Sequence, residues 1–561
     1  YPILSFREVP VVEVMLMPRP GEAPLGAGES ASVPGTAAIA NAIFDATGVR
    51  FREPPFTPEV VRAALHAGEG VGAAERLAGP HPNPLPEGEG AKPPLLQGAQ
   101  LPLPLPLGEG RGEGQREPLS SPSPSRRPLV AKAAAFASGL VTATLALLGW
   151  RPAIAPLPDA AASAASLYTA DTIERGRQLA AAGDCVVCHT APGGAPNAGG
   201  RALPTPFGTV YSTNLTPDPR TGIGTWSLAA FQRAMREGLS RDGRHLYPAF
   251  PYTAFTHASD DDLTALYAYL MTQPAVAAVP SETKLAFPFS MRPLMALWNA
   301  LYLTPGPLQA EPAQSVQWNR GAYLVNGLGH CGACHTPRNA FGAERDGAAA
   351  FAGAIVEGWE APALTSLSNG PLAWTEIELY RYLRHGHSAQ HGSANGPMAP
   401  VVQQLAQLPE ADVRAIAHYL ASLNPPADDA ANAARAAALI AQAERHGATR
   451  LGAAQRQFTS ACGACHHAGD GPAVFGQNLP LALSSKVHSA QPDNLLRLIL
   501  DGVREPASAE LGFMPAFRDA FDDAQVAQLA AYLRERFAPD KPAWRDLEAA
   551  SARIRAHADL R

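Results

Sequence analysis

The amino-acid sequence predicts a mainly α-helical chain in which one unit occurs three times. A small α/β segment, a disordered Pro/Gly-rich linker and a single membrane-crossing helix precede the units. Three observations carry this expectation. The pattern Cys-x-x-Cys-His occurs at Cys185–His189, Cys331–His335 and Cys462–His466, and it uses all six cysteines. Each copy is followed by a segment of helical periodicity that ends in Tyr-Leu. Proline makes up 13 of the 49 residues from Pro80 to Pro128, and an uncharged run of 18 residues, Ala133–Trp150, follows soon after. At about 150 residues per domain, 561 residues allow about four units. An apolar content of 46% excludes wholesale disorder, and a mean hydropathy of −0.08 excludes a polytopic membrane protein. Lys+Arg 44 against Asp+Glu 50 leaves no basic excess, which argues against nucleic acid as a partner.

Residues 1–75 read as one short α/β region. Phe6 to Met17 alternates like a strand, Thr36 to Thr47 has helical character ended by Gly48, and Thr57-Pro58-Glu59 caps a helix through Val60–Leu65. So short a stretch makes a thin core, so it is expected to be the end of a larger domain. Residues 76–128 are the linker. The tract His81-Pro-Asn-Pro-Leu-Pro-Glu-Gly-Glu-Gly90 recurs imperfectly as Leu101-Pro-Leu-Pro-Leu-Pro-Leu-Gly-Glu-Gly110. That composition favours extended polyproline II with flexible glycine breaks and builds no core. Residues 129–150 are long enough to span a bilayer if Lys132 snorkels. Arg126, Arg127 and Lys132 precede the run and Arg151 follows it, which places its N-terminal side in the cytoplasm.

Cys-x-x-Cys-His is the attachment motif of c-type haem. Two thiols on one side of a helical turn add to the two vinyl groups of one porphyrin, and the adjacent imidazole is offered to the iron. Zinc would pair two such motifs into one four-ligand site, and three motifs spaced this far apart do not pair. A dithiol redox pair leaves the three histidines unexplained. The expectation is three covalently bound haem c groups, held by Cys185, Cys188, Cys331, Cys334, Cys462 and Cys465, with His189, His335 and His466 as proximal iron ligands. No cysteine remains for an iron–sulfur cluster. Because c-type haem is attached outside the bacterial cytoplasm, the motifs agree with an inner-membrane anchor that delivers the rest of the chain to the periplasm.

The motifs lie in an internal repeat. Arg175-Gly-Arg-Gln-Leu179 precedes the first and Arg320-Gly-Ala-Tyr-Leu324 the second. Closing segments Asp261–Leu270, Ala411–Leu420 and Ala524–Leu533 place apolar residues at i, i+3, i+4 and i+7, as an amphipathic helix requires. Helix, haem motif, long loop and closing aromatic helix resemble the class I cytochrome c fold, over units 165–285, 310–425 and 445–540.

A methionine opposite the proximal histidine raises a haem's potential. Met398, in Gly396-Pro-Met-Ala-Pro-Val401, is the only methionine between the second and third motifs. Met514, in Phe513-Met-Pro-Ala-Phe517, is the only one after the third. Both lie in the loop before the closing helix and are the expected sixth ligands. The corresponding loop of the first unit reads His245-Leu-Tyr-Pro-Ala-Phe250. Phenylalanine cannot ligate iron, so His245 is the first candidate there and His257 the second. Met235 and Met271 fall in expected flanking helices, and a five-coordinate iron open to small ligands is the alternative. His330 and His467 are expected at a haem edge or in solvent. His385, His387 and His391 have no accompanying carboxylate or cysteine and read as loop residues.

Gly26-Ala-Gly-Glu29-Ser30, Ala37–Phe44 and Thr47-Gly-Val-Arg50 resemble the C-terminal end of molybdenum hydroxylase large subunits. That resemblance implies a catalytic role for Glu29 as general base beside molybdenum, although Ser30 stands where the family usually has proline. The order of segments resembles the fused large subunits of nicotinate dehydrogenase and related isoquinoline and aldehyde oxidoreductases. It implies an electron-transfer subunit with a 2Fe-2S small subunit or a molybdopterin subunit as partner, and a terminal oxidase or small soluble cytochrome as outlet. Molybdopterin is expected only in a full-length or assembled complex, and this chain alone is not expected to be catalytic. Two other classes stay open: a cytochrome subunit of a quinoprotein or flavin alcohol or gluconate dehydrogenase, and haem-based catalysis or sensing at an open first haem.

Overall fold

The computed structural model describes residues 38–45, 47–49, 60–64, 151–157, 165–366, 368, 370–448, 452–467 and 476–556. The stretch Phe6–Met17, Glu29, the linker 76–128 and the apolar run 129–150 lie outside the described residues. No helix among the described residues is long and apolar enough to cross a membrane. The chain divides into two compact units, 1–120 and 121–561. In the first, residues 38–45 and 60–64 are helical. The former helix closes where the Thr47 hydroxyl donates to the Ile43 carbonyl (2.5 Å) and the Gly48 N–H to Phe44 (2.7 Å).

The second unit is mainly helical and carries the three repeats. Each has an opening helix, the haem-motif turn, a middle helix and a closing helix. The opening helices are Ala170–Ala182, Val316–Asn326 and Ala453–Ala461. The closing helices, Asp260–Met271, Glu410–Ser422 and Asp523–Phe537, fall on the segments whose periodicity predicts them. Their starts are chemically specified. Ser259 accepts the Asp262 N–H ahead of three aspartates in the first turn, where carboxylates complement the helix dipole. Asp522 and Gln525 form a reciprocal capping box.

Opening and closing helices cross closely because a glycine sits at each crossing of the first two repeats. A Cβ on Gly176 would lie 2.0 Å from the Ala265 carbonyl oxygen, and one on Gly321 would lie 2.0 Å from that of Ala415. The preceding arginine clips each crossing, Arg175 to Asp262 at 2.6 Å and Arg320 to Asp412 at 2.7 Å. Apolar burial does the rest. Leu179, Leu263, Leu266, Leu324, Val413 and Ile416 belong to one core that runs through the first and second repeats. The third repeat has its own core around Phe458, Leu496, Leu500 and Leu529.

Short antiparallel pairs fill the loops: Ala202–Thr205 with Gly208–Tyr211 in the first repeat, and Ala354–Val356 with Trp359–Ala361 in the second. Lys284–Leu285 adds a third strand to the former pair. The long helix Asp429–Ala448 leads to the third repeat. Asn494 then docks that repeat onto the second by exchanging bonds of 2.9 and 2.8 Å with the Glu360 backbone.

Candidate haem centres

The second repeat shows the site most fully. Cys331, Cys334, His335 and Met398 all line one cavity of about 480 Å³, within the range of pockets that bury a large ligand. Leu324, Leu379, Leu383, Leu405, Ile416 and Leu420 form much of its apolar wall. His335 holds its Nδ1 2.7 Å from the Pro362 carbonyl. That bond fixes the tautomer with the proton on Nδ1 and keeps Nε2 as the ligating nitrogen. His189 does the same toward the Thr213 carbonyl at 2.6 Å. Burial lowers the pKa of His189, His335 and His466, so each is held neutral, the form that binds iron. His466 has no hydrogen-bond partner at Nδ1 among the described residues.

None of the six cysteines forms a disulfide. Burial pushes Cys185 and Cys331 up to about 12 and Cys188, Cys334 and Cys462 up to about 11. A redox-active pair needs the opposite shift, so burial here argues against thiol exchange. The residues present fit haem c: two thiols, a neutral imidazole with a fixed tautomer, a thioether, and an apolar cavity of matching size.

The sixth-ligand candidates share one register. Gly238, Gly386 and Gly502 end the three middle helices, Leu228–Glu237, Glu376–His385 and Asp493–Asp501, at φ of 63°, 79° and 67°. Twelve residues beyond them stand Phe250, Met398 and Met514. In the first two repeats the chain then turns back identically, with Leu246 N–H donating to Gly238 (2.7 Å) and Ala394 N–H to Gly386 (2.8 Å). In the third, Met514 itself pairs with Val503 through bonds of 2.8 and 3.1 Å.

Phe250 is packed among aromatics, edge-on to Phe255 at 5.3 Å and beside Tyr252 at 6.2 Å. His245, only 3% exposed, lies seven residues past Gly238. In that register it matches Ser393, which lines the second cavity. His257 turns its Nδ1 to the Gly306 carbonyl at 3.2 Å. Met235 is buried in the core, in the middle helix, and Met271 ends the closing helix. His330 lines the second cavity and stands edge-on to Phe255 at 5.4 Å. His391 stacks on Trp374 at 3.6 Å. No cluster of three metal-binding side chains occurs among the described residues.

Several lining residues are not singled out by the sequence reading. Trp374 stands twelve residues before Gly386, as Trp226 stands before Gly238, and the same repeat frame would have found both. Asp184 carries no such signal. It is buried at the left-handed position before Cys185, lines the second cavity, and has its carboxyl pushed up to about 7 by burial. Its charge is felt at Cys334, and Cys334 in turn is felt at Cys188, so the first two attachment sites are close neighbours. Ala181, Ala182 and Asp184 border the second cavity from the first repeat, and Ser485, Lys486, Ser489, Gln491 and Asn494 border it from the third.

Comparison with known proteins agrees with this geometry. The "Cytochrome c" family matches residues 173–274 and 319–424. "Cytochrome C oxidase, cbb3-type, subunit III" matches residues 449–533. A nicotinate dehydrogenase subunit of Pseudomonas putida is 52% identical over 559 residues, covering 99% of this chain but 43% of that protein, so the chain spans less than half of that relative. The gluconate 2-dehydrogenase cytochrome c subunit of Pantoea cypripedii is 39% identical over 64% of this chain and 85% of its own length. The fructose dehydrogenase cytochrome subunit of Gluconobacter japonicus is 35% identical over 65% of this chain and 79% of its own. With its helical repeats and haem-attachment motifs, the chain belongs to the family of cytochrome c subunits of dehydrogenases, electron-transfer proteins that bind haem c covalently.

Proposed function

We propose that the chain is a three-haem electron relay in a membrane-anchored dehydrogenase complex whose oxidising unit is a molybdenum and iron–sulfur dehydrogenase. Its substrate class is an N-heterocycle such as nicotinate, or an aldehyde. The observation that carries the relay is the cavity of the second repeat. Four attachment and ligand side chains share it, and both neighbouring repeats build its border. A cofactor there stands between the first and third sites.

Haem c, when bound, supplies a one-electron iron couple. The chain's own residues do the rest. The buried thiols tether the group, and the Thr213 and Pro362 carbonyls hold His189 and His335 in the ligating tautomer. His466 and Met514 would hold the third haem and Met398, with His335, the second, whose wall is largely apolar. Phe250 removes a thioether from the first site, and His245, buried at a cavity-lining register on the same loop, would hold the iron there.

The assignment of the partner rests on the 52% identity that extends over 99% of this chain, where the sugar and alcohol dehydrogenase cytochromes match 64–70% of it. In this reading residues 1–75, with Glu29, are the end of the molybdopterin-binding domain, and molybdopterin belongs to the assembled complex. The partners are a 2Fe-2S subunit on the donor side and a terminal oxidase or small cytochrome on the acceptor side. The run 129–150 anchors the chain in the inner membrane, with the haem repeats in the periplasm.

The test is isolation of the intact complex from native membranes, identification of its subunits, and addition of candidate donors. An iron–sulfur subunit and haem reduction by an N-heterocycle or aldehyde are expected. A flavin or quinone subunit, with haem reduction by gluconate or a primary alcohol, overturns the partner assignment.

A further inference from the structure

Lys486 reaches the cavity of the second repeat from the third. It is carried by the short helix Ser485–His488, yet it lines the same cavity as Cys331, His335 and Met398. Its Nζ donates to the Ser393 carbonyl at 2.7 Å, five residues before Met398. An ammonium has three N–H donors, and this bond uses one. Among the described residues, Lys486 is the only lysine or arginine in the lining. Lys486 is half-buried, and burial lowers its pKa to about 8; neither Asp184 nor Glu360, the acids of the same lining, contributes.

A cation partly withdrawn from water is stabilised by a counter-charge. The group that this cavity fits carries one. The porphyrin of haem c bears two propionates on the edge opposite its two thioether positions. Cys331 and Cys334 fix the thioether edge beside the first repeat, where the charge of Asp184 acts on Cys334. The third repeat lines the cavity with polar side chains, Ser485, Ser489, Gln491 and Asn494, around Lys486. A propionate edge directed there meets hydrogen-bond donors and a cation.

We propose that Lys486 is the counter-ion of the propionate edge of the haem held in the second repeat, a positioning residue supplied by one repeat to its neighbour's cofactor. A propionate anion favours the more positive ferric iron, and a cation paired with it offsets that preference. Lys486 therefore raises the potential of the second haem. The inference rests on the reading that the second repeat binds haem.

The test uses the full chain with its haems. Lys486→Gln keeps a donor for the Ser393 carbonyl and removes the charge, Lys486→Arg keeps the charge, and Met398→Ala identifies which midpoint belongs to the second haem. Haem per chain is measured first, by the pyridine haemochrome, and midpoints by spectroelectrochemistry. In Lys486→Gln that one midpoint is expected to fall by about a tenfold change in the reduction equilibrium, about 59 mV for one electron. The other midpoints are expected to stay in place and Lys486→Arg to keep the wild-type value. Full haem content with an unmoved midpoint overturns the inference, as does a Lys486→Arg midpoint as low as that of Lys486→Gln. Wild-type protein with no haem on Cys331 and Cys334 overturns the underlying reading instead.

Discussion

Phe250 occupies in the first repeat the position that Met398 occupies in the second. Each stands twelve residues beyond the glycine that ends its middle helix, on loops that return to that glycine through the same backbone bond. In the proposed relay, the substitution of a ring for a thioether makes the three sites unequal. A relay with one site of different ligation has a built-in step in potential, because axial ligand identity is a main determinant of that potential.

The register predicts the effect of restoring the thioether. In a His245→Ala background, Phe250→Met is expected to add one methionine-ligated haem, seen as a gain in the methionine-to-iron charge-transfer band and a rise in one midpoint. Met398→Ala and Met514→Ala are each expected to remove one such band and lower one midpoint by more than a tenfold change in equilibrium, about 59 mV. An unchanged spectrum on adding Phe250→Met to His245→Ala, with the protein folded, contradicts the register.

The first haem is expected to be six-coordinate and inert to carbon monoxide. His245→Ala is expected to make it high-spin and able to bind carbon monoxide, and His257→Ala to leave it unchanged. The reverse pattern assigns the ligand to His257, and carbon monoxide binding by the wild-type first haem favours catalysis or sensing there.

The crossings at Gly176 and Gly321 predict a stability effect. An alanine at either places a methyl within 2.0 Å of a carbonyl oxygen, so the helices must separate, at about 1–3 kcal/mol. The first two repeats share one core and the third has its own. Denaturation of Gly321→Ala followed at two probes is therefore expected to shift the transition of the first two repeats and spare that of the third.

Asp184 predicts a pH effect. Burial holds its folded pKa at about 7, above the ordinary aspartate value, although Arg201 opposes the shift. The folded state then binds the proton more tightly than the unfolded state. Stability is greatest at pH below about 4 and is lost as pH rises through about 7, by roughly 4 kcal/mol. Asp184→Asn is expected to flatten this limb in unfolding midpoints measured from pH 4 to 8, and an unchanged slope contradicts the assignment.

Much of the site is legible in the sequence because its signals are local. Cys331-Gly-Ala-Cys334-His335 specifies its chemistry within five residues, and the closing helices declare themselves by period and by caps such as Ser259. Met398 and Met514 stand out because each is the only methionine in its stretch. Lys486 and Asp184 do not, for a physical reason. Each is an ordinary polar residue beside its own neighbours in sequence, and it gains meaning from the cavity of a different repeat. Contacts such as Lys486 to Ser393 leave no mark in periodicity or spacing.

If six cysteines hold three haems in one relay, intact-mass measurement of the acid-extracted full chain reads it out, alongside double variants in which each cysteine pair is replaced by alanine. A chain mass increased by three haems that survive extraction is expected, with a loss of one haem in each double variant. Two or fewer covalent haems in the wild-type chain, or haem removed by acid, contradicts it.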